Sequence, residues 1–280
     1  MIVRQDYSHI FHPIRLSITM KKYFLLLTIL FSSSLFSQLI TYTSVRLDEG
    51  QNEDYVKIED FWSKIHEATI AQDLATGWMI WEVIKEEGDE KASSRPDFLI
   101  MNFYKDSIQK NKPRNFYEIG RAAYPKLSKK KFDKIWEGGP YGERNIYELE
   151  RLDNTNWIFG ELELGTVIQF NAFKQLDDSY ERYEMEFYKK WHEKGILNGA
   201  RKWWEFNKII SRNLNTVTSL EDEPTHITID IYGRDIPEDE WEDAWGTPTF
   251  TDQMMWNNGS KTREMLDQAN LKLVMYRFAN

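Results

Sequence analysis

The sequence predicts an α+β fold made of two tandem β-α-β-β-α-β units in one chain. Three observations predict it. First, Phe61-Trp62-Ser63-Lys64-Ile65-His66-Glu67 returns as Phe187-Tyr188-Lys189-Lys190-Trp191-His192-Glu193, a shared F-[WY]-x-K-x-H-E pattern. Second, further matches run in chain order: Trp78 falls on Trp204, Asn102 on Asp230, Tyr104 on Tyr232 and Arg151 on Arg277. Third, strand-like and helix-like periodicities alternate in the same order in each half. The two copies are bounded at 39–153 and 161–280.

Each element has its own signal. Ile40–Leu47 and Thr166–Phe173 are rich in β-formers and read as first strands. Asp54–Asp73 sets Ile58, Phe61, Ile65 and Thr69 at helical spacing, and Tyr180–Leu197 does the same with Tyr183, Phe187 and Trp191. Gly77–Ile84 and Trp203–Ile210 read as second strands, Phe98–Tyr104 and His226–Tyr232 as third strands. Asn115–Trp136 and Thr251–Ala269 are more polar and read as helical, and Asn145–Leu152 and Leu271–Phe278 close each copy as a last strand. This order is the split βαβ of ferredoxin-like units, whose helices cover one sheet face and leave the other in need of a cover.

Composition narrows the function. The chain has 280 residues, 45 acidic against 36 basic, a formal charge of −9, no cysteine and 15% aromatics. Apolar and aromatic content suffices for real cores, so disorder is excluded as the main class. Without cysteine there is neither a disulfide framework nor thiolate chemistry. The acidic balance argues against nucleic acid as a partner.

Residues Met20 to Ser37 fit the three-part plan of a secretory signal: Lys21 and Lys22, an apolar run from Tyr23 to Phe31, then small residues with Leu35 and Ser37 before a cut at Gln38. Residues 1–19 read as an upstream extension, 20–37 as the signal. The expected protein is exported, periplasmic or secreted, with no stable membrane span after cleavage; the apolar run is too short for one. An uncleaved anchor is the competing reading.

β-α-β-β-α-β units that pair by their sheets resemble the dimeric α+β barrel superfamily, which includes antibiotic-biosynthesis-type monooxygenases, EthD-like and NIPSNAP-like proteins. The first helix carries Y-x(3)-E-x(3)-[WY]-x(3)-H, a pattern similar to that of uncharacterised exported bacterial proteins of this type. Tyr180, Glu184, Tyr188 and His192 match it fully; Tyr55, Glu59, Trp62 and His66 match with one residue fewer before Trp62. The resemblance implies two units pairing sheet to sheet in an intramolecular α+β barrel. It also implies a monomer that is already a pseudo-dimer, with higher oligomers left open. The superfamily hosts oxygenases, haem enzymes and proteins without established chemistry, so haem stays open as a cofactor and activity stays open altogether.

The candidate ligand-binding residues are the matched pairs: His66 and His192, Trp62 and Tyr188, Trp78 and Trp204, Asn102 and Asp230, Tyr104 and Tyr232, Arg151 and Arg277. A helix histidine beside an aromatic is either a base or haem ligand facing a pocket, or a latch that stacks on Trp78 or Trp204. Neighbouring Glu67 and Glu193 point about 100° away on the helix and cannot share a metal with it, so no metal site is expected. On the third strands, Leu99, Met101 and Phe103, and likewise Ile227, Ile229 and Ile231, form an aliphatic face suited to helices. The opposite face, with Asn102, Tyr104, Asp230 and Tyr232, is expected to line the space between the sheets. Arg151 and Arg277 are expected to pair with Glu59 and Glu184, or to bind an anion.

Three functions fit these residues. The protein binds a small hydrophobic or aromatic molecule in the tandem barrel; or it is a cofactor-independent or haem-dependent monooxygenase-like enzyme; or it is a non-catalytic structural or interaction protein of the envelope.

Overall fold

A computed structural model describes residues 38–158, 162–213 and 223–279. The segments 1–19 and 20–37 lie outside the described residues.

Among the described residues the strands are β1 (Leu39–Arg46), β2 (Gly77–Val83), β3 (Phe98–Tyr104), β4 (Glu143–Asn154), β5 (Val167–Gln175), β6 (Arg201–Asn213), β7 (His226–Tyr232) and β8 (Arg263–Phe278). They close into one barrel in the order β1-β3-β2-β8-β5-β7-β6-β4. Every neighbouring pair is antiparallel. The first four strands lie side by side as β4-β1-β3-β2 and the last four as β8-β5-β7-β6, joined at two seams, β2 with β8 and β4 with β6. Closure pairs every sheet edge, which an open four-stranded sheet cannot do.

The helices lie outside the barrel. α1 (Asn52–Ala71) links β1 to β2; α2 (Ser107–Lys110), α3 (Phe116–Ala123) and α4 (Lys129–Glu137) link β3 to β4. Side chains cap the three short ones: Asp106, Asn115 and Ser128 each accept from backbone N–H groups of the first turn. Pro125 falls between α3 and α4, so the single helical stretch expected over Asn115–Trp136 is two helices. In the second half, α5 (Tyr180–Arg182), a π-helical stretch (Tyr183–Tyr188) and α6 (Lys189–Asn198) run on from one another and link β5 to β6, and α7 (Trp241–Trp245) and α8 (Phe250–Gly259) link β7 to β8. Thr249 and Asp252 form a reciprocal capping box at the start of α8. No described helix is long and apolar enough to cross a membrane.

The π-helical stretch accounts for the one-residue mismatch between the two matched helix segments. A π turn adds a residue to a helix without moving its ends. Tyr180 to His192 is one residue longer than Tyr55 to His66. The extra residue is absorbed at Tyr183–Tyr188, so His192 arrives where His66 does in its own half.

β8 corrects the expected boundary. Residues 263–269, expected to be helical, are strand: helix α8 ends at Gly259, a single 3-10 turn (Ser260–Thr262) comes next, and Arg263 to Ala269 pair with Phe170–Gln175 of β5. The pairing partner decides here, and local sequence does not contain it.

The faces of the strands are exchanged relative to expectation. Met79 and Trp81 of β2, Leu99, Met101 and Phe103 of β3, and Ile227, Ile229 and Ile231 of β7 fill the barrel interior with Ile40, Leu149, Leu271 and Leu273. Trp78, Ile80, Phe98 and Ile100 point outward and pack beneath α1 with Tyr55 and Ile58. Trp204 and Phe206 do the same in the second half with Tyr180. Both faces are apolar because both are covered. Period-2 alternation separates the two faces but does not say which is inside.

Candidate functional site

The interior is not packed solid. A cavity of about 290 Å³ opens at the end of the barrel where β2 and β6 begin. Its walls are Met79, Trp81, Met101, Phe103, Trp203, Ile229 and Ile231, with Trp157, Leu162 and Phe278 at its mouth. Strand parity puts these side chains there: residues two apart on β2, β3, β6 and β7 share the inner face. Trp157 meets Trp203 edge-on, ring centres 6.2 Å apart.

One polar cluster enters this apolar space. Arg151 of β4 forms an ion pair with Glu205 of β6 and donates to the Gln38 side-chain oxygen. Asn207 Nδ2 donates to Glu205 Oε1 at 2.9 Å. Glu205 and Asn207 are buried. A buried carboxylate needs such partners, because an isolated charge in this setting would be prohibitively costly. Two donors at the wall remain over. Trp81 Nε1 and Arg151 Nε are buried and have no hydrogen-bond partner among the described residues; the Tyr42 hydroxyl, equally buried and unpartnered, does not line this cavity. Burial and the Glu205 charge push the Tyr42 hydroxyl well above its ordinary value, against the opposing pull of Arg151, so it stays a protonated donor. The cluster can hold a neutral acceptor group, with tryptophan and phenylalanine rings around the rest of the molecule.

The histidines lie elsewhere. His66 stacks on Trp78 with ring centres 4.7 Å apart and planes 13° from parallel; His192 stacks on Trp204 at 4.6 Å and 15°. Each ring is held between helix and sheet, on the side away from the cavity. Burial pushes His66 down to about 3. Burial, with the nearby Arg201 charge, holds His192 well below its ordinary range. Both are neutral near pH 7. Neither cavity in the barrel interior is lined by histidine. The residues lining these two cavities do not fit a histidine-ligated haem.

Of the residues singled out from the sequence, Arg151 lines this cavity and the other eleven do not. Trp62 packs on Trp136 at 4.6 Å over α4. Tyr188 lies under the Arg263 guanidinium, 4.6 Å from its ring centre. Asn102 pairs in register with Trp78 and shares its outward face. Tyr104 packs outside with Ile70 and Ala75. Asp230 is buried in an ion pair with Arg201 and accepts from Asn171 Nδ2 at 2.9 Å. Tyr232 is exposed and donates to Gln169 Oε1 at 3.0 Å.

The two arginines matched by sequence fall on opposite faces. Arg277 pairs with Trp78 on the outward face and donates to Ser63 Oγ at 3.2 Å. The cause is a bulge: β8 shifts register against β2 between Ile80 and Trp81, so Leu273 points in and Met275 and Arg277 point out. The expected pairing with Glu59 and Glu184 is therefore made by other arginines at the starts of the last strands, Arg144 with Glu59 at 3.7 Å and Arg263 with Glu184.

Matching the two halves does not single out Glu205 and Asn207. They nonetheless carry a readable signal: β6 puts Glu205 and Asn207 where its matched strand β2 has Met79 and Trp81. A polar pair replacing an apolar pair at inward parity is the mark of a specialised interior.

No family model and no curated protein matches the chain. Among solved structures it resembles a candidate monooxygenase from Lactobacillus acidophilus NCFM (TM-score 0.49, 9% identity, 86% of this chain and 96% of that one). It also resembles a candidate monooxygenase from Fusobacterium nucleatum (0.47, 10%, 87% and 95%) and an anthrone oxidase-like protein (0.45, 9%, 88% and 94%). At these scores the likenesses carry no functional weight.

Proposed function

We propose that this protein is an exported, single-chain α+β barrel that binds a small hydrophobic or aromatic molecule in the tryptophan-lined cavity. One observation carries the reading: an apolar interior cavity of about 290 Å³ into which a single buried ion pair, Arg151 with Glu205, projects. Pockets of this make-up, apolar with a few convergent polar groups, are what small-molecule sites look like. The cavity lies between strands of both halves. Two copies of one β-α-β-β-α-β unit, 39–153 and 161–280, account for the matched strand orders β4-β1-β3-β2 and β8-β5-β7-β6. A duplicated chain supplies both halves of the barrel covalently, and a monomer suffices. Export rests on the Met20–Ser37 signal pattern. A histidine base or haem ligand draws no support from rings that face away from the cavity.

The test is a titration with N-phenyl-1-naphthylamine, a neutral aromatic probe. Binding should quench Trp81, Trp157 and Trp203 and brighten the probe. Ile229→Trp, which fills the cavity, should abolish the effect at unchanged unfolding midpoint. A probe that stays dark with the wild-type chain overturns the reading.

A further inference from the structure

The barrel has a second interior cavity, of about 310 Å³, at its opposite end, and the two cavities share no lining residue. We propose that this second cavity is a separate binding site for a straight-chain carboxylate, with the chain inside the barrel and the acid group at the rim.

The walls differ in kind. The first cavity is lined by indole and phenyl rings. The second has no tryptophan; Phe170, Tyr42 and Tyr147 add rings on one side, and the rest of its apolar wall is aliphatic: Val83, Leu99, Leu149, Ile209, Ile227 and Leu271. Flexible methylene chains suit such a wall, whereas flat rings stack better on flat rings.

Polarity rises in steps toward the rim. Inward residues of β1 and β4 face one another in register, Tyr42 with Tyr147, then Ser44 with Asn145, then Arg46 with Glu143. All six line the cavity. An amphiphile meets this gradient in the right order, tail at the floor and head at the charged step. The Arg46 guanidinium donates to the Ser94 carbonyl and has no carboxylate partner among the described residues. The neighbouring Arg95 is already engaged, by Asp89 at 2.8 Å and Asp267 at 2.7 Å. Arg46 is thus the cation left for an incoming anion.

The loop between β2 and β3 roofs the site. Ser94, Arg95 and Pro96 lie over the cavity. The loop is tied to β8 across the seam by the Arg95–Asp267 pair, by Lys91 Nζ donating to the Leu266 carbonyl at 3.1 Å and by Asn270 Nδ2 donating to Glu86 at 3.2 Å. The Lys91 and Asn270 ties are exposed contacts of modest strength, while Arg95 is largely buried and its pair with the half-exposed Asp267 must open for the roof to lift and admit a chain.

Isothermal titration of the full exported chain with decanoate, decanol and decyltrimethylammonium tests this. Decanoate should bind best. Arg46→Gln should weaken it roughly tenfold, the loss of one charge-assisted contact. Glu143→Gln should tighten it, because the opposed carboxylate repels the head. Both rim positions lie away from the cores, and an unchanged unfolding midpoint confirms the fold. The site is overturned if decanoate does not bind, if decanol binds equally well, or if Arg46→Gln binds like wild type. It is also overturned if decanoate displaces N-phenyl-1-naphthylamine, which would place the acid in the first cavity. Ile229→Trp obstructs the first cavity alone and should leave decanoate binding unchanged, so either site can fail without the other.

Discussion

The two halves of the chain agree between helix and sheet and disagree inside the barrel. Outside, His66 on Trp78 and His192 on Trp204 repeat within 0.1 Å and 2°. The buried tyrosines Tyr55 and Tyr180 and the arginine-held carboxylates Glu59 and Glu184 repeat as well. Inside, β2 offers Met79 and Trp81 where β6 offers Glu205 and Asn207, and Arg151 points inward where Arg277 points outward. The outer layer is what holds each half's helices on its strands, so it is constrained alike in both. The interior is under no such shared constraint, and its residues differ between the halves.

The largest effect should come from the shared layer. Trp78→Ala and Trp204→Ala each remove a fully buried indole and its histidine stack, and each should cost about 3–5 kcal/mol. Urea unfolding should give similar losses; one near zero would break the equivalence of the halves.

The unshared layer should separate the two arginines. Arg151→Met strands Glu205 in the barrel and should cost about 3 kcal/mol, most of it regained when Glu205→Leu is added. Arg277→Met removes one hydrogen bond to Ser63 and should cost under about 1 kcal/mol. Equal costs would mean that the two positions do not differ in burial as their faces indicate.

The histidine stacks predict an acid limb. The unfolded chain takes up a proton at His66 near the ordinary value of 6.5, and the folded chain only near about 3. This contribution is therefore fully present above about pH 6.5 and is lost as pH falls through that window. His192 acts in the same direction. His66→Phe and His192→Phe keep a ring on the tryptophan and should each flatten the fall in thermal midpoint across this range. An unchanged slope in both variants would mean that the histidines titrate freely.

A further small effect concerns the π stretch. Deleting Glu186, an exposed residue within it, should give the second helix the register of α1 at a cost under about 1–2 kcal/mol, read by thermal unfolding. Loss of the fold would mean that the stretch is more than an absorbed insertion.

Much of this architecture is legible in the sequence. Periodicity yields the element order, and third strands Phe98–Tyr104 and His226–Tyr232 match the structure at both ends. The closed antiparallel barrel with outer helices agrees with the expected α+β barrel at that level. The proposed cavity site is not legible in the same way. Matching the halves selects what they share, and what they share is the helix-facing layer, so eleven of the twelve candidate residues lie off the cavity. A bulge in β8 moves Arg277 to the other face, and no local feature of Leu271–Phe278 announces it. Glu205 and Asn207 stand where the match between halves fails.

The seam between β2 and β8 has a consequence for how the chain matures. Residues 77–83 find their second neighbour only in residues 271–278, at the far end of the sequence. Such a contact closes a very long loop and comes late in folding. Until the last strand emerges from synthesis, β2 presents an open row of backbone donors and acceptors, the kind of edge that recruits other chains. A chain lacking residues 271–278 would be left permanently in that sticky state, so β8 is the strand on which closure of the barrel depends.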